Sequence, residues 1–406
     1  MDKTSDQGVP VANAEPVYRA RTAAVRGGLK RSGFNETAEA LYLTSGFVYG
    51  SAAEAEAAFA KPTPGRFVYS RFANPTVAVF EERLRQMEGA EACRATATGM
   101  AAVFAALMSL LRAGDRIVAS RALFGSCHVI CAEILPRFGV ISEFVDGSDK
   151  QAWERALSKP AKAVFLETPS NPMLEIIDLP FVVGLARKAG AQVVVDNVFA
   201  TPLLQRPIEM GADVVVYSAT KHIDGQGRCL GGAILCRREL SDGDLGQFLR
   251  HTGPALSPFN AWNLVKGLET LSLRLEAMCR AALTVARFLE GSKLVKRTLY
   301  PHLPSHPQAA LAQAQMAMGG SVVTFELEGG KEAAFRFLDA LELIDISNNL
   351  GDSKSLVCHP ATTTHQRLTP ADRLKVGITD GVLRLSVGLE DERDVIDDLK
   401  RGLAAV

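Results

Sequence analysis

The sequence predicts an α/β fold: a large, mostly parallel sheet with helices on both faces, followed by a smaller C-terminal α/β domain. Three observations predict it. Short apolar runs, Arg116-Ile-Val-Ala119, Ala163-Val-Phe-Leu166, Val193-Val-Val195 and Val214-Val-Val216, have the pattern of buried strands. Between about 96 and 236 they alternate with helical patterns, as repeated βαβ units do. A long helical stretch, Phe259 to Leu289, then leads to two further strand patterns, Ser321-Val-Val-Thr-Phe-Glu-Leu327 and Val382-Leu-Arg-Leu-Ser-Val387.

The remaining elements follow in chain order. The first ~18 residues are polar and Ala/Pro-rich, and disorder is expected there. An arm with short helical patterns, such as Ala52 to Ala60, reaches to about residue 65. Asn74-Pro75 reads as an N-cap followed by proline at the first helical position. Phe80, Leu84 and Met87 recur at helical spacing, and Gly89 ends the run. The expected division is an arm over 1–65, a cofactor-binding domain over 66–260 and a C-terminal domain over 261–406.

The chain has 406 residues, of which 47% are hydrophobic, enough for a sizeable core. Lys+Arg and Asp+Glu are both 45, so nothing in the charge favours nucleic acid or an anionic membrane. The longest near-apolar run, Met100 to Leu111, contains Ser109 and is far short of the ~20 residues that cross a bilayer. Met1-Asp-Lys-Thr-Ser-Asp lacks a signal-peptide hydrophobic region, and seven cysteines without a Cys-x-x-Cys read as reduced core residues of a cytoplasmic protein. Histidine and cysteine show no metal-ligand spacing, so no metal is expected. Gly225-Gln-Gly227 has the wrong spacing to Gly231 for a dinucleotide fingerprint.

The chemistry centres on Val214-Val-Val-Tyr-Ser-Ala-Thr-Lys-His222. A lysine at the mouth of a buried strand is poorly hydrated, which favours its neutral, nucleophilic form. Ser218 and Thr220 beside it can donate to an anion such as a phosphate. A nucleophilic Lys221 beside a phosphate pocket is what pyridoxal phosphate (PLP) chemistry requires. Ser218-x-x-Lys221 also matches an acyl-serine motif, but its Ser-Asp-Asn and Lys-Thr-Gly companions do not occur. Gln192-Val-Val-Val-Asp-Asn197 is a second strand, and it ends in an acid. Asp196 at that end points toward the ligand crevice of an open α/β sheet and suits a protonated pyridine nitrogen. Ala163-Val-Phe-Leu-Glu-Thr-Pro-Ser-Asn-Pro172 ends in a proline-bounded turn that carries Asn171 over the same place. Thr98-Gly99-Met100 opens an apolar helical run, offering backbone N–H groups to a phosphate.

These features resemble the Cys/Met-metabolism family of fold-type I PLP enzymes, which have the aspartate aminotransferase-like fold. The matching motifs are Tyr69-Ser-Arg-Phe-Ala-Asn-Pro-Thr76, Ala97-Thr-Gly-Met-Ala-Ala102, Glu167-Thr-Pro-Ser-Asn-Pro172, Val195-Asp-Asn197, Tyr217-Ser-Ala-Thr-Lys221 and Arg384-Leu-Ser-Val-Gly-Leu-Glu390. The resemblance implies PLP as cofactor, with Lys221 as its covalent anchor and Asp196 as the partner of its ring nitrogen. It implies Tyr69 and Arg71 as phosphate ligands supplied to a neighbouring subunit, and Arg384 with Ser355 as the site for a substrate carboxylate. Phe124 stands where relatives carry tyrosine, so ring stacking is kept and a phenol is lost.

The family includes cystathionine γ-synthase, cystathionine and methionine γ-lyases, and homoserine-ester sulfhydrylases. Phe124 and the segment Asp224-Gly-Gln-Gly-Arg-Cys229 point to the last of these. The implied reaction is O-succinylhomoserine plus sulfide to homocysteine and succinate, by a homotetramer of active-site-sharing dimers. A synthase using cysteine, a γ-lyase, a Ser218 acyl hydrolase and a non-catalytic binding protein stay as alternatives.

Overall fold

The computed structural model describes residues 18–60 and 65–406. Residues 1–17, where disorder is expected, lie outside the described residues. Seven strands form the first sheet: β1 (Ala92–Thr96), β2 (Arg116–Ser120), β3 (Ile141–Val145), β4 (Ala163–Glu167), β5 (Gln192–Asp196), β6 (Val214–Ser218) and β7 (Gly232–Cys236). Their spatial order is β1-β7-β6-β5-β4-β2-β3. Pairings from β6 through β3 are parallel, and β7 alone runs against both its neighbours. Val193, Val195, Val215 and Leu235 enter the core on one face, while Val194, Val214, Val216 and Ile234 enter the core on the other. Helices cover both faces, so these strands are apolar at every position. Parallel strands end on one rim, and the register pairs Glu167 at the end of β4 with Asp196 at the end of β5.

The helix Pro75–Glu88 begins as its sequence dictates. The Asn74 side chain accepts from the N–H groups of Thr76 and Val77, Pro75 occupies the first turn, and Gly89 closes the helix at φ 80°. The helix Pro258–Glu290 runs for 33 residues, about 50 Å. Its first half, through Leu264, Leu268 and Leu271, packs into the first core. Its second half, through Val285, Ala286 and Leu289, packs under a second sheet. That sheet contains β8 (Val295–Leu299), β9 (Val322–Leu327), β10 (Asp345–Ile346), β11 (Leu356–Cys358) and β12 (Val382–Ser386), in the order β10-β11-β12-β9-β8. It is antiparallel apart from β10 and β11. We propose an arm to residue 65, a cofactor domain to 260 and a C-terminal domain beyond it, the last two sharing this long helix.

Buried polar groups lock these parts together. The fully buried Arg83 donates to the carbonyls of Val25 (2.9 Å) and Gly27 (3.1 Å) and pairs with Glu39 and Glu269, fixing the arm to both long helices. Behind β5 and β6, the Tyr217 hydroxyl donates to Glu88 and accepts from the Asn197 amide at 2.7 Å.

Burial pushes the Glu88 carboxyl from 4.5 up to about 8, with the Tyr217 hydroxyl opposing. Between those values the folded protein keeps a proton that the unfolded chain releases. This contribution to stability is therefore full below pH 4.5 and is lost as pH rises toward 8. Glu88→Gln is expected to remove that slope. The melting temperature of the wild type minus that of the variant should fall as pH rises from about 5 to about 8; a difference constant across that range would refute the assignment.

Candidate active site

The loop after β6 carries Lys221, and its backbone is held from outside. The buried Arg274, on the long helix, donates to the carbonyls of His222 (2.9 Å), Ile223 (3.3 Å) and Gly267 (2.8 Å). Gly225 sits at φ 67°, where a Cβ would stand 1.9 Å from Arg274 Nη1, so only glycine fits. From the second sheet's side, Ser353 N–H donates to the Gly225 carbonyl at 2.9 Å. Lys221 Nζ donates to Asn349 Oδ1 at 2.6 Å and is turned to that amide rather than to Ser218. Burial, aided by the Arg384 guanidinium, lowers the amine to about 8. His222, beside it, is pushed down to about 4 by burial and stays neutral near pH 7.

Asp196 faces the same rim. Its Oδ1 accepts from Val198 N–H at 3.1 Å, and burial raises the carboxyl to about 7. A cation placed against it would be stabilised by its ionisation. Glu167, its neighbour in register, accepts from Phe124 N–H at 2.7 Å and from Asn171 N–H at 2.9 Å. Phe124 and Asn171, the two expected flanking residues, are thereby brought to one place.

The expected phosphate end is built around the helix Gly99–Leu110. Thr98 caps it, its hydroxyl accepting from Ala101 N–H at 3.0 Å. The N–H groups of Gly99 and Met100 belong to the first turn and have no helical acceptor. A Cβ on Gly99 would lie 2.6 Å from Ser218 Cβ, so glycine permits the helix end to touch the end of β6. Ser218 thus stands at the helix N-terminus. The Thr220 hydroxyl is engaged by the Gly231 N–H (3.1 Å) and carbonyl (3.3 Å).

Arg384 on β12 is 1% exposed. It donates to Asn171 Oδ1 (3.1 Å) and to the carbonyls of Asn348 (2.9 Å) and Asn349 (3.0 Å). Its Nε is buried with no partner. A buried charged donor without an acceptor is costly, and a bound carboxylate would satisfy it. Ser355 is placed differently. It is fully buried, and its hydroxyl donates to Glu390 at 2.8 Å and accepts from Gly388 N–H at 3.0 Å. Arg71 stacks over the rings of Tyr69 and Phe72 and donates to the Arg250 carbonyl.

Three residues of this site were given no role in the sequence reading: Asn349, Glu167 and Arg274. Glu167 had a legible signal, an acid ending a buried strand as Asp196 does. Asn349 and Arg274 act through contacts more than 45 residues away, which no local pattern announces. Among the described residues no group of three or more His, Cys, Asp or Glu could hold a metal ion. The residues fit PLP: an acid for the ring nitrogen, a helix N-terminus with Ser218 for the phosphate, and an amine of lowered basicity for the aldehyde carbon.

Borohydride reduction of the cofactor-loaded protein, followed by peptide mapping, is expected to leave the pyridoxyl label on Lys221. A label on another lysine, or none, would overturn the assignment. Asp196→Ala is expected to lose most turnover while still taking the label.

Residues 21–404 match the sequence profile of the Cys/Met metabolism PLP-dependent enzymes. The chain is 59% identical over 408 residues to an O-succinylhomoserine sulfhydrylase of Mycobacterium tuberculosis, covering 100% of both chains. It is 48% identical over 385 residues to an O-succinylhomoserine sulfhydrylase of Pseudomonas aeruginosa, covering 95% of each. A Campylobacter jejuni protein assigned as an O-acetylhomoserine (thiol)-lyase, solved with N′-pyridoxyl-lysine-5′-monophosphate, superposes with TM-score 0.91 at 32% identity, over 95% of this chain and 100% of that one. PLP is accordingly the cofactor of this protein, and the fold is that of fold-type I PLP enzymes. The chain belongs to the Cys/Met metabolism family of PLP-dependent enzymes.

Proposed function

We propose that the protein catalyses γ-replacement on an activated homoserine ester, converting O-succinylhomoserine and sulfide to homocysteine and succinate in methionine biosynthesis. The observation that carries this is the buried, unpartnered Arg384 Nε on the side chain that also faces Lys221. It marks a seat for an amino acid's carboxylate beside a base. The whole-length likeness to two O-succinylhomoserine sulfhydrylases supports the choice of donor and acceptor.

Bound PLP supplies an electron sink for negative charge at the substrate's Cα. The chain's own residues do the rest. Arg384 fixes the α-carboxylate and so orients the Cα–H bond. Asp196 holds a proton at the ring nitrogen. Lys221, with an amine near neutrality, takes the Cα proton and moves protons at Cβ. The Cγ–O bond breaks as succinate leaves with its electron pair, and hydrosulfide forms the Cγ–S bond. Succinate is a stable leaving group that needs little acid help, so phenylalanine at 124 suffices where a thioether substrate would call for a proton donor.

The chain is proposed to work as a homo-oligomer, with Tyr69 and Arg71 completing a neighbour's phosphate site and a tetramer as the assembled form. Three features support this. Phe34 is 93% and Val48 99% exposed on the arm, apolar surface that a second copy would cover. Arg71 is stacked on the Tyr69 and Phe72 rings and bonded to the Arg250 carbonyl. It also lines a cavity of about 1060 Å³ with Phe47, Phe67, Phe72 and Arg94, against the arm. No helix of the described residues is long and apolar enough to cross a membrane. Seven unpaired thiols suit the reducing cytoplasm, which is the proposed location.

Two experiments test this. With O-succinylhomoserine as donor and sulfide and cysteine at equal concentration, homocysteine is expected to exceed cystathionine in the product mass spectrum. Cystathionine as the main product would make the protein a γ-synthase, and rapid methanethiol release from methionine a γ-lyase. Arg71→Ala and Lys221→Ala, each inactive alone, are expected to regain part of the activity when co-assembled. No recovery in verified mixed oligomers would show that Arg71 does not act across an interface.

A further inference from the structure

We propose that Glu167 is a positioning residue that sets both walls of the cofactor cleft at once, one carboxylate oxygen holding the backbone of Phe124 and the other that of Asn171. This rests on the reading that Phe124 and Asn171 flank the cofactor. The two amides belong to loops that follow different strands, β2 and β4, and nothing local fixes their separation. Glu167 Oε2 accepts from Phe124 N–H at 2.7 Å, and Oε1 accepts from Asn171 N–H at 2.9 Å. The Asn171 side chain in turn accepts from Arg384 at 3.1 Å. One continuous set of hydrogen bonds therefore runs from the stacking ring's backbone to the arginine of the carboxylate seat.

The residue type supports a clamp. Glu167 is 4% exposed and forms no ion pair among the described residues. Burial and the neighbouring Asp196 both push its carboxyl well above the usual range, while the two N–H donors and the Arg384 guanidinium oppose them. A buried carboxyl with no direct ion pair is costly, and glutamine would be the milder occupant. Glutamine, however, offers one acceptor oxygen and would turn an N–H donor toward the second amide. Only a carboxyl group places an acceptor oxygen at both positions. Both of its oxygens are already engaged by backbone, so Glu167 positions other groups and does not itself move substrate protons. Its register beside Asp196 puts the clamp and the ring-nitrogen acid on adjacent strand ends.

The test uses Glu167→Gln and Glu167→Asp as purified holoenzymes. It reads the visible circular dichroism of the resting cofactor and kcat, each per bound cofactor, with melting temperature as control. Glu167→Gln is expected to lose most of the visible dichroic signal and about tenfold or more in kcat, the scale of one lost hydrogen bond to a buried donor. Glu167→Asp keeps the carboxyl group but is one methylene too short to reach both amides, so it is expected not to rescue either readout. Wild-type dichroism and kcat in Glu167→Gln would overturn the clamp. Full rescue by Glu167→Asp would overturn it too, since a carboxyl group beside Asp196 would then be the whole effect. Should neither variant fold, hydrogen exchange of the wild-type peptides carrying Phe124 and Asn171 decides it: both amides are expected to be protected, and fast exchange of either would overturn the proposal. The resting spectrum involves no homoserine ester, so this test stands whichever donor and acceptor the enzyme proves to use.

Discussion

Arg274 donates three hydrogen bonds to backbone carbonyls, two of them in the loop that carries Lys221. The geometry of the site depends on this contact. The loop turns back sharply after β6 and leaves its carbonyls in a place too dry for water to serve them. A buried guanidinium supplies donors in a fixed fork, so the turn is held in one conformation. Burial lowers Arg274 itself to about 10, and Asp224 and Asp352 restrain that fall. Because Arg274 lies on the helix shared by both cores, the Lys221 loop is referenced to both sheets together.

A second constraint is charge in a low-dielectric rim. Glu88, Glu167 and Asp196 are all pushed upward, with burial as the largest cause in each. Lys221 and His222 are pushed downward for the same reason. An apolar sheet core that ends in ionisable groups therefore creates a base with an accessible lone pair and an acid ready to meet a cation. In the proposed function, a cationic ring nitrogen and a substrate carboxylate would find partners already in place. Electrostatic preorganisation of this kind needs no rearrangement at the moment of reaction.

The arm is organised by a different balance. Arg83, Glu39, Lys266 and Glu269 form a mostly buried ionic cluster that fixes its start, while large apolar side chains further along it face outward. Removing one member of a buried ion pair leaves the other uncompensated, so the cluster is a strong determinant of where the arm leaves the body. The residues it presents are the ones a second copy is proposed to cover.

The sequence by itself determined the parallel sheet, because β2, β4, β5 and β6 are covered on both faces and so read as unbroken apolar runs. It determined the cap of the helix Pro75–Glu88, because Asn74, Pro75 and Gly89 act within one turn of their own positions. It placed Lys221 and Asp196 at strand ends, where parallel topology puts ligands. The edge strand β1, Ala92-Cys-Arg-Ala-Thr96, was not legible, since its few apolar side chains gain meaning only from pairing with β7. The bonds from Asn349 to Lys221 and from Arg274 to the loop carbonyls were decided by tertiary structure alone. So was the bond between Ser355 and Glu390. Each joins segments remote in sequence, and a polar side chain's partner is set by which buried donor or acceptor the fold leaves unsatisfied beside it.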